Sequence, residues 1–131
     1  MTAAEGVLAT VRSTVEQVAR DLGLPLDWIN PGPESLLEFG LPDGFLSRTK
    51  VERFGSLIVH VADRVDLVAL KLYAAADQGP ESKHFQDLLL LSPSAAELRD
   101  SAAWCRTHDP SEPFSTELNA VLRHLGASDV T

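Results

Sequence analysis

One pair of segments in this chain has a strong β-strand pattern, and this pair limits what the chain can fold into. Residues 49–54 read TKVERF and residues 56–62 read SLIVHVA, with Gly55 at the join. Apolar side chains alternate along the second segment, and the glycine between the segments favours a β-hairpin over residues 49–62. Two strands alone are marginal in water, so this hairpin needs a helix beneath it or strands from elsewhere.

The rest of the chain has the periodicity of helices. A first helix is predicted over residues 3–22, where valines recur at helical spacing and Gly23 ends the run. Four more helices are predicted after the hairpin, with Asp63 capping the first of them and Pro93 at the first position of the third. Their predicted bounds are residues 64–77, 82–91, 93–107 and 113–125.

A segment rich in proline and glycine, residues 24–46, separates the first helix from the hairpin. Proline and glycine prevent long regular elements here. The segment also contains large apolar side chains, which predict short helical turns laid over a core. Since the sequence shows no internal repeat and no change of composition, we expect one domain over residues 1–131. Its predicted class is α+β, predominantly helical with one β-hairpin.

Composition disfavours several classes of partner. The chain has 11 basic and 19 acidic residues and a net charge of −8. A field of that sign repels nucleic acid backbones, so nucleic acid is disfavoured as the main partner. No apolar run reaches the roughly 18 residues of a membrane span, so we expect no membrane partner. The single cysteine, Cys105, excludes a disulfide within the chain and fits a cytoplasmic location.

The sequence contains no recognisable catalytic or metal motif. The four histidines are scattered, and no histidine or cysteine pair has the spacing of zinc ligands. Cys105 falls on the apolar stripe of its predicted helix, which favours a buried structural thiol over a nucleophile. We therefore predict no catalytic residue and no metal ligand.

Lys71 is the most unusual residue by pattern. Its neighbours three and four residues away on the predicted helix are all apolar, so its amine leaves along an apolar surface. Pattern alone favours snorkelling to water over a site. Lys83 and Asp87 are four residues apart on the next predicted helix, where the ordinary interpretation is an exposed ion pair.

A resemblance to a known family bears on these residues. Residues 52–91, which read ERFGSLIVHVADRVDLVALKLYAAADQGPESKHFQDLLLL, resemble the later part of bacterial nucleotidyltransferase-like proteins. These are related to the nucleotidyltransferase toxins of type IV toxin–antitoxin, or abortive-infection, systems. In that family a strand leads into Asp-Leu and a helix with a Leu-Lys pair, and a second helix reads Lys-Asp-x-x-Asp-Leu. Residues 21–30 and 106–114 also resemble one branch of the family, so the resemblance spans roughly residues 15–126.

The resemblance implies a nucleotide-phosphate subsite made of three residues. Lys71 matches the helix lysine, which is expected to contact the triphosphate. Lys83 and Asp87 match the basic residue and the second aspartate of the Lys-Asp-x-x-Asp-Leu segment. His84 stands where the family has the first aspartate.

The family's catalytic signature does not occur in this sequence. That signature is an early Gly-Gly or Gly-Ser turn leading into an Asp-x-Asp strand, whose carboxylates hold two magnesium ions. Without those carboxylates nothing in the chain would offset the charge on a transferring phosphoryl group. We therefore expect no cofactor in the isolated chain, and Mg²⁺ with a nucleoside triphosphate only if a missing segment completes the site.

The expected function is that of a truncated or split nucleotidyltransferase-like protein, equivalent to the C-terminal half of that fold and catalytically silent alone. The alternative is a non-enzymatic interaction module that self-associates or binds a partner through the hairpin edge or the apolar segment. In both cases the partner that completes the sheet is an upstream segment, a second copy or a separate protein chain. An enzyme that uses chemistry not apparent in the sequence is a third alternative.

Overall fold

The computed structural model describes residues 3–29 and 40–127, and it confirms the predicted α+β class. Within these ranges the chain is predominantly helical, with one two-stranded antiparallel sheet. The helices are α1 (Ala3–Leu22), α2 (Phe45–Arg48), α3 (Arg64–Gln78), α4 (Lys83–Leu91), α5 (Ala95–His108) and α6 (Glu112–His124), and the strands are β1 (Lys50–Phe54) and β2 (Leu57–Val61). None of the described helices is long and apolar enough to cross a membrane.

Contacts group the chain into two compact units, residues 1–40 and 41–131. Among the described residues, the first unit holds α1 and the turns that follow it. The second unit holds the hairpin and the other helices. That the two units form a single domain stays a prediction.

In the first unit, the turn after α1 folds back on the helix. The Trp28 indole nitrogen donates a hydrogen bond to the Val15 carbonyl oxygen at 3.0 Å. This bond uses the polar end of an aromatic side chain to hold the turn against the helix. The predicted turns of residues 24–46 fall partly on residues 30–39, which lie outside the described residues.

The second unit is built around α3, whose apolar face packs against α4, α5 and α6. Val68, Leu72 and Ala75 are fully buried at helical spacing along this face. From the other helices the largest fully buried side chains are Leu88, Leu118, Val121 and Leu122, the last at 1% exposure. In α5, Leu98 and Ala102 are also buried in this core, so both of the last two helices contribute an apolar face to it.

Cys105 is part of that core, as predicted. The residue is fully buried in α5, and its thiol is free. Burial raises the pKa of the thiol to about 12. Because the thiolate is the nucleophilic form, this cysteine is inert at neutral pH, and its role is structural.

The start of α5 differs from its predicted start at Pro93. The Ser94 hydroxyl accepts a hydrogen bond from the Glu97 N–H at 3.1 Å, and the Glu97 carboxylate accepts one from the Ser94 N–H at 3.0 Å. This reciprocal capping box starts the helix at Ala95. Ser92 instead ends α4, in a left-handed conformation with φ of 48°.

Arg64, the first residue of α3, links three helices. Its Nε donates to the Glu97 carboxylate at 2.9 Å, and its Nη2 donates to the Leu91 carbonyl oxygen at 2.6 Å. Leu91 ends α4 and Glu97 lies in the first turn of α5, so one guanidinium satisfies an acceptor at a helix end and fixes the junction. The hydrogen bond from Arg64 also lowers the pKa of Glu97.

The first turn of α3 contains a fully buried carboxylate, that of Asp66. It accepts two hydrogen bonds from the Arg48 guanidinium, one of them from Nε at 2.8 Å. Burying a carboxylate without a partner costs several kcal/mol, and a bidentate arginine offsets that cost. The pair raises the pKa of Arg48 and joins α2 to the start of α3.

Gly44 leaves room for this pair. It precedes α2 with φ of +77°, a left-handed conformation that favours glycine. A Cβ atom at this position would lie 2.7 Å from Arg48 Nη1. A side chain here would therefore strain the backbone and displace the guanidinium.

The predicted hairpin is present. β1 and β2 pair antiparallel, with Phe54 opposite Leu57 and Glu52 opposite Val59. The two-residue loop begins with Gly55, whose φ of +64° is the conformation that a type II′ turn requires at its first loop position.

Removing the arginine of the buried pair tests how strongly it stabilises the fold. Arg48→Met should lower the free energy of unfolding by clearly more than removal of an unpaired exposed arginine does, because it leaves the buried Asp66 carboxylate without its partner. Urea denaturation measures this change. Arg53→Met, on the exposed hairpin, is the matched control and should change stability by no more than about 0.5 kcal/mol. Equal losses in the two variants would contradict the role assigned to Arg48.

Candidate functional site

Lys71 lies at the border between the buried face of α3 and solvent. The next residue, Leu72, is fully buried, whereas the Lys71 side chain is 27% exposed. The aliphatic stem therefore lies along apolar surface, and the amine extends sideways toward α4.

The Lys71 ammonium forms an ion pair with Asp87 on α4. Lys71 Nζ lies 2.7 Å from Asp87 Oδ2, and the Asp87 side chain is also 27% exposed. The hydrogen bond from Lys71 is the main cause of the lowered pKa of Asp87. The lysine in the apolar helix therefore pairs with a neighbouring helix, which single-helix periodicity does not reveal.

His84 completes a group of three side chains that we call the Lys71 cluster: Lys71, His84 and Asp87. The Nδ1 atom of His84 lies 3.5 Å from Lys71 Nζ. Burial lowers the pKa of His84, and the positive charge of Lys71 lowers it further. The neutral imidazole is thus favoured, and a neutral ring nitrogen can accept a hydrogen bond from the ammonium.

The structure brings two of the three predicted site residues into contact. Lys71 and Asp87 are paired, whereas Lys83 is exposed at the first residue of α4. The charge of Lys83 nevertheless lowers the pKa values of both His84 and Asp87. His84 was noted in the sequence as a departure from the family pattern. Its spacing of three residues from Asp87 was the signal that both face α3.

The charges of the Lys71 cluster determine what it can bind. Asp87 already neutralises Lys71, so an incoming anion must compete with that carboxylate. The nearby charge of Lys83 and the N-terminal end of α4 both favour an anion. Among the described residues, no three His, Cys, Asp or Glu side chains are grouped as ligands for one metal ion.

The hairpin is the second candidate, because it is exposed on both faces. All five residues of β2 and four of the five in β1 are exposed. The large apolar side chains among them are Val51, Phe54, Leu57, Ile58, Val59 and Val61. Within the described part of the chain, the sheet has two strands.

The two strands differ in their charges. β1 contains Lys50, Glu52 and Arg53, and its Lys50 and Glu52 side chains form an ion pair at 3.1 Å. β2 reads LIVHV and contains no carboxylate, lysine or arginine. Charged side chains protect sheet edges from pairing with other strands, so β2 is the less protected edge.

The lowered pKa of His84 predicts a stability that depends on pH. Below the ordinary histidine pKa of about 6.5, the unfolded chain takes up a proton at this position that the folded chain resists. The free energy of unfolding should therefore fall as pH drops from about 7.5 toward 5.5. His84→Gln should reduce the slope of this fall, as measured by urea denaturation at each pH. His60→Gln is the control and should leave the contribution of His84 to this pH dependence intact. An unchanged slope in His84→Gln would contradict the prediction.

Comparisons with protein-family models, curated proteins and solved structures find no match to this chain. The resemblance to nucleotidyltransferase-like proteins therefore stays a prediction.

Proposed function

We propose that this chain is a non-enzymatic interaction module whose hairpin is completed by a strand from another polypeptide. The observation that carries the proposal is that all five residues of β2 are exposed, among them four large apolar side chains that are 36–47% accessible, and that none of the five is a carboxylate, lysine or arginine. A two-stranded sheet is marginal in water, and a third strand with an apolar face stabilises it. Strand addition at an exposed edge is a common mode of recognition.

The base of the hairpin supports the proposal. β1 directly follows α2, which Arg48 joins to Asp66 in α3. β2 ends two residues before Asp63, whose side chain caps α3. Both ends of the hairpin are therefore held against the helical core, and a strand that is already ordered loses less entropy when it binds.

The side chains of the hairpin supply specificity in this proposal. The register places the apolar Phe54, Leu57, Val59 and Val61 on one face of the sheet, since residues that are directly paired share a face. The ion-paired Lys50 and Glu52 of β1 lie on the same face. Main-chain hydrogen bonds at the edge provide affinity for any extended strand. The apolar side chains that β2 presents on this face favour partner strands whose alternate residues are also apolar.

Site-specific photo-crosslinking tests the interaction module. A benzophenone amino acid at position 59 should form covalent adducts in the cells that naturally produce the protein, because this position lies in the middle of β2. The same amino acid in place of Glu117, which is exposed on α6, is the control and should form few adducts. Mass spectrometry identifies the attached polypeptide. Equal adduct formation at the two positions, or none at position 59, contradicts the proposal.

A second candidate function is binding of a nucleotide phosphate, and the Lys71 cluster favours it. The cluster places a lysine, a neutral histidine and the exposed Lys83 around the first turn of α4. In this proposal a phosphate displaces Asp87 and pairs with Lys71. This is the part of a nucleotidyltransferase-like site that the chain would contribute, with Mg²⁺ and further residues supplied by a completing segment and the toxin–antitoxin relationship as its context.

Thermal shift measurements test the phosphate subsite. Each of the four nucleoside triphosphates is added to the full chain without Mg²⁺, because in this proposal the completing segment supplies that ion. At least one triphosphate should raise Tm by about 5 °C at roughly ten times its Kd. Lys71→Met should abolish the shift, whereas Lys50→Met, an exposed lysine on β1, should retain it. Asp87→Asn should enlarge the shift, because it removes the competing carboxylate. No shift with any triphosphate sinks this candidate and leaves the interaction module unaffected.

The location in the cytoplasm is part of the same proposal. Its support is the single cysteine of the chain, whose buried thiol needs no oxidising compartment to form its native contacts.

A further inference from the structure

We infer that the strand completing the sheet is β2 of a second copy of this chain, paired antiparallel across a two-fold axis at Val59. The inference rests on the proposed interaction module and names its partner. It is carried by the register of the hairpin, the charges of its two edges and the sequence of β2.

The hairpin register determines which backbone groups of β2 point outward. A two-residue loop closes on a hydrogen-bonded pair, here Phe54 and Leu57. Hydrogen-bonded pairs alternate along an antiparallel ladder, so Val59 and Val61 also direct their N–H and C=O groups toward β1. The backbone groups of Ile58 and His60 therefore face the free edge.

The outward N–H and C=O groups of one β2 strand can form hydrogen bonds with those of a second, antiparallel β2 strand. With Val59 opposite Val59 at the axis, Ile58 of each copy lies opposite His60 of the other. Both of these are hydrogen-bonded pairs, so the register satisfies all the outward backbone groups of Ile58 and His60 in both copies. If the register shifts by two residues in either direction, only one hydrogen-bonded pair remains within the two strands instead of two.

The charges favour this edge over the other one. Pairing two β1 strands in the equivalent register would place Glu52 opposite Glu52 of the second copy, and like charges in directly opposed positions are destabilising. Pairing two β2 strands opposes no like charges, because the charged residues of the hairpin all lie on β1. Closed two-fold pairing is also the commonest symmetry of protein assemblies.

The product is a four-stranded antiparallel sheet in which the two central β2 strands form an apolar stripe on one face. Each copy contributes Leu57, Val59 and Val61 to that stripe. The outer β1 strands add Phe54 and the ion-paired Lys50 and Glu52 at its sides. The two valines at the axis form a non-hydrogen-bonded pair, in which side chains approach most closely. Four strands exceed the minimum that an independently stable sheet needs, whereas the two strands of one copy do not.

Charge substitutions at the axis test the inference by analytical ultracentrifugation. The full chain should dimerise in a concentration-dependent way. Val59→Lys and Val59→Glu should each raise the dimer Kd by about tenfold or more, because like charges then meet at the axis. An equimolar mixture of these two variants should dimerise again, because opposite charges are then paired. Val51→Lys, at an exposed position on β1 (45% against 36% for Val59), is the control and should dimerise as the unmodified chain does.

Amide hydrogen exchange by NMR tests the register without any substitution. Exchange at Ile58 and His60 should slow by about tenfold or more as the concentration rises from well below to well above the dimer Kd. Exchange at Val59 and Val61 should be slow at every concentration, since these amides already bond to β1. Concentration-independent exchange at Ile58 and His60 overturns the inference.

The crosslinking result separates failure of this inference from failure of the proposed function. Adducts at position 59 with a second copy support both. If the adducts contain a different protein and the chain is monomeric in the ultracentrifuge, the inference of a second copy is overturned and the interaction module is retained. No adducts and no dimer overturn both.

Discussion

The structure of the second unit depends on burial of the apolar face of α3. This helix packs against α4, α5 and α6, and its fully buried Val68, Leu72 and Ala75 lie at the centre of the core. The three charged residues of α3 that bond other elements lie outside these buried apolar positions. Arg64 bonds to α4 and α5, Asp66 bonds to Arg48, and Lys71 bonds to Asp87. The apolar face supplies most of the stability, and the charged pairs set the positions of the neighbouring elements.

This arrangement explains how a two-stranded sheet can be held in an exposed position. The hairpin contributes no residue to the core cluster, so its placement comes from its ends. Arg48 anchors the approach to β1, and the Asp63 cap starts α3 directly after β2. Such an anchored hairpin can remain in place while its apolar side chains face solvent. That combination is typical of a surface that binds another strand.

The sequence predicted the fold class and most helix faces, because both depend on local periodicity. The start of α5 was placed two residues early, because Ser92-Pro93 resembles a helix start, whereas the capping box of Ser94 and Glu97 determines the actual one. The burial of Asp66 and its pairing with Arg48 were not predicted, because Arg48 lies 18 residues away in the chain and no local pattern links the two.

The candidate site likewise combines a feature that the sequence predicted with contacts that it did not. Lys71 stood out in the sequence because a lysine between apolar neighbours needs either water or a partner. Its actual partners, Asp87 and His84, depend on how α3 packs against α4, which helical periodicity does not specify. The sequence by itself determined the helices, the hairpin and the lack of charge on β2, since these follow from residue type and spacing. Only the tertiary structure decided that Lys71 is paired, that Asp66 is buried and that β2 is exposed among residues 3–29 and 40–127, because each of these depends on contacts between elements far apart in the chain.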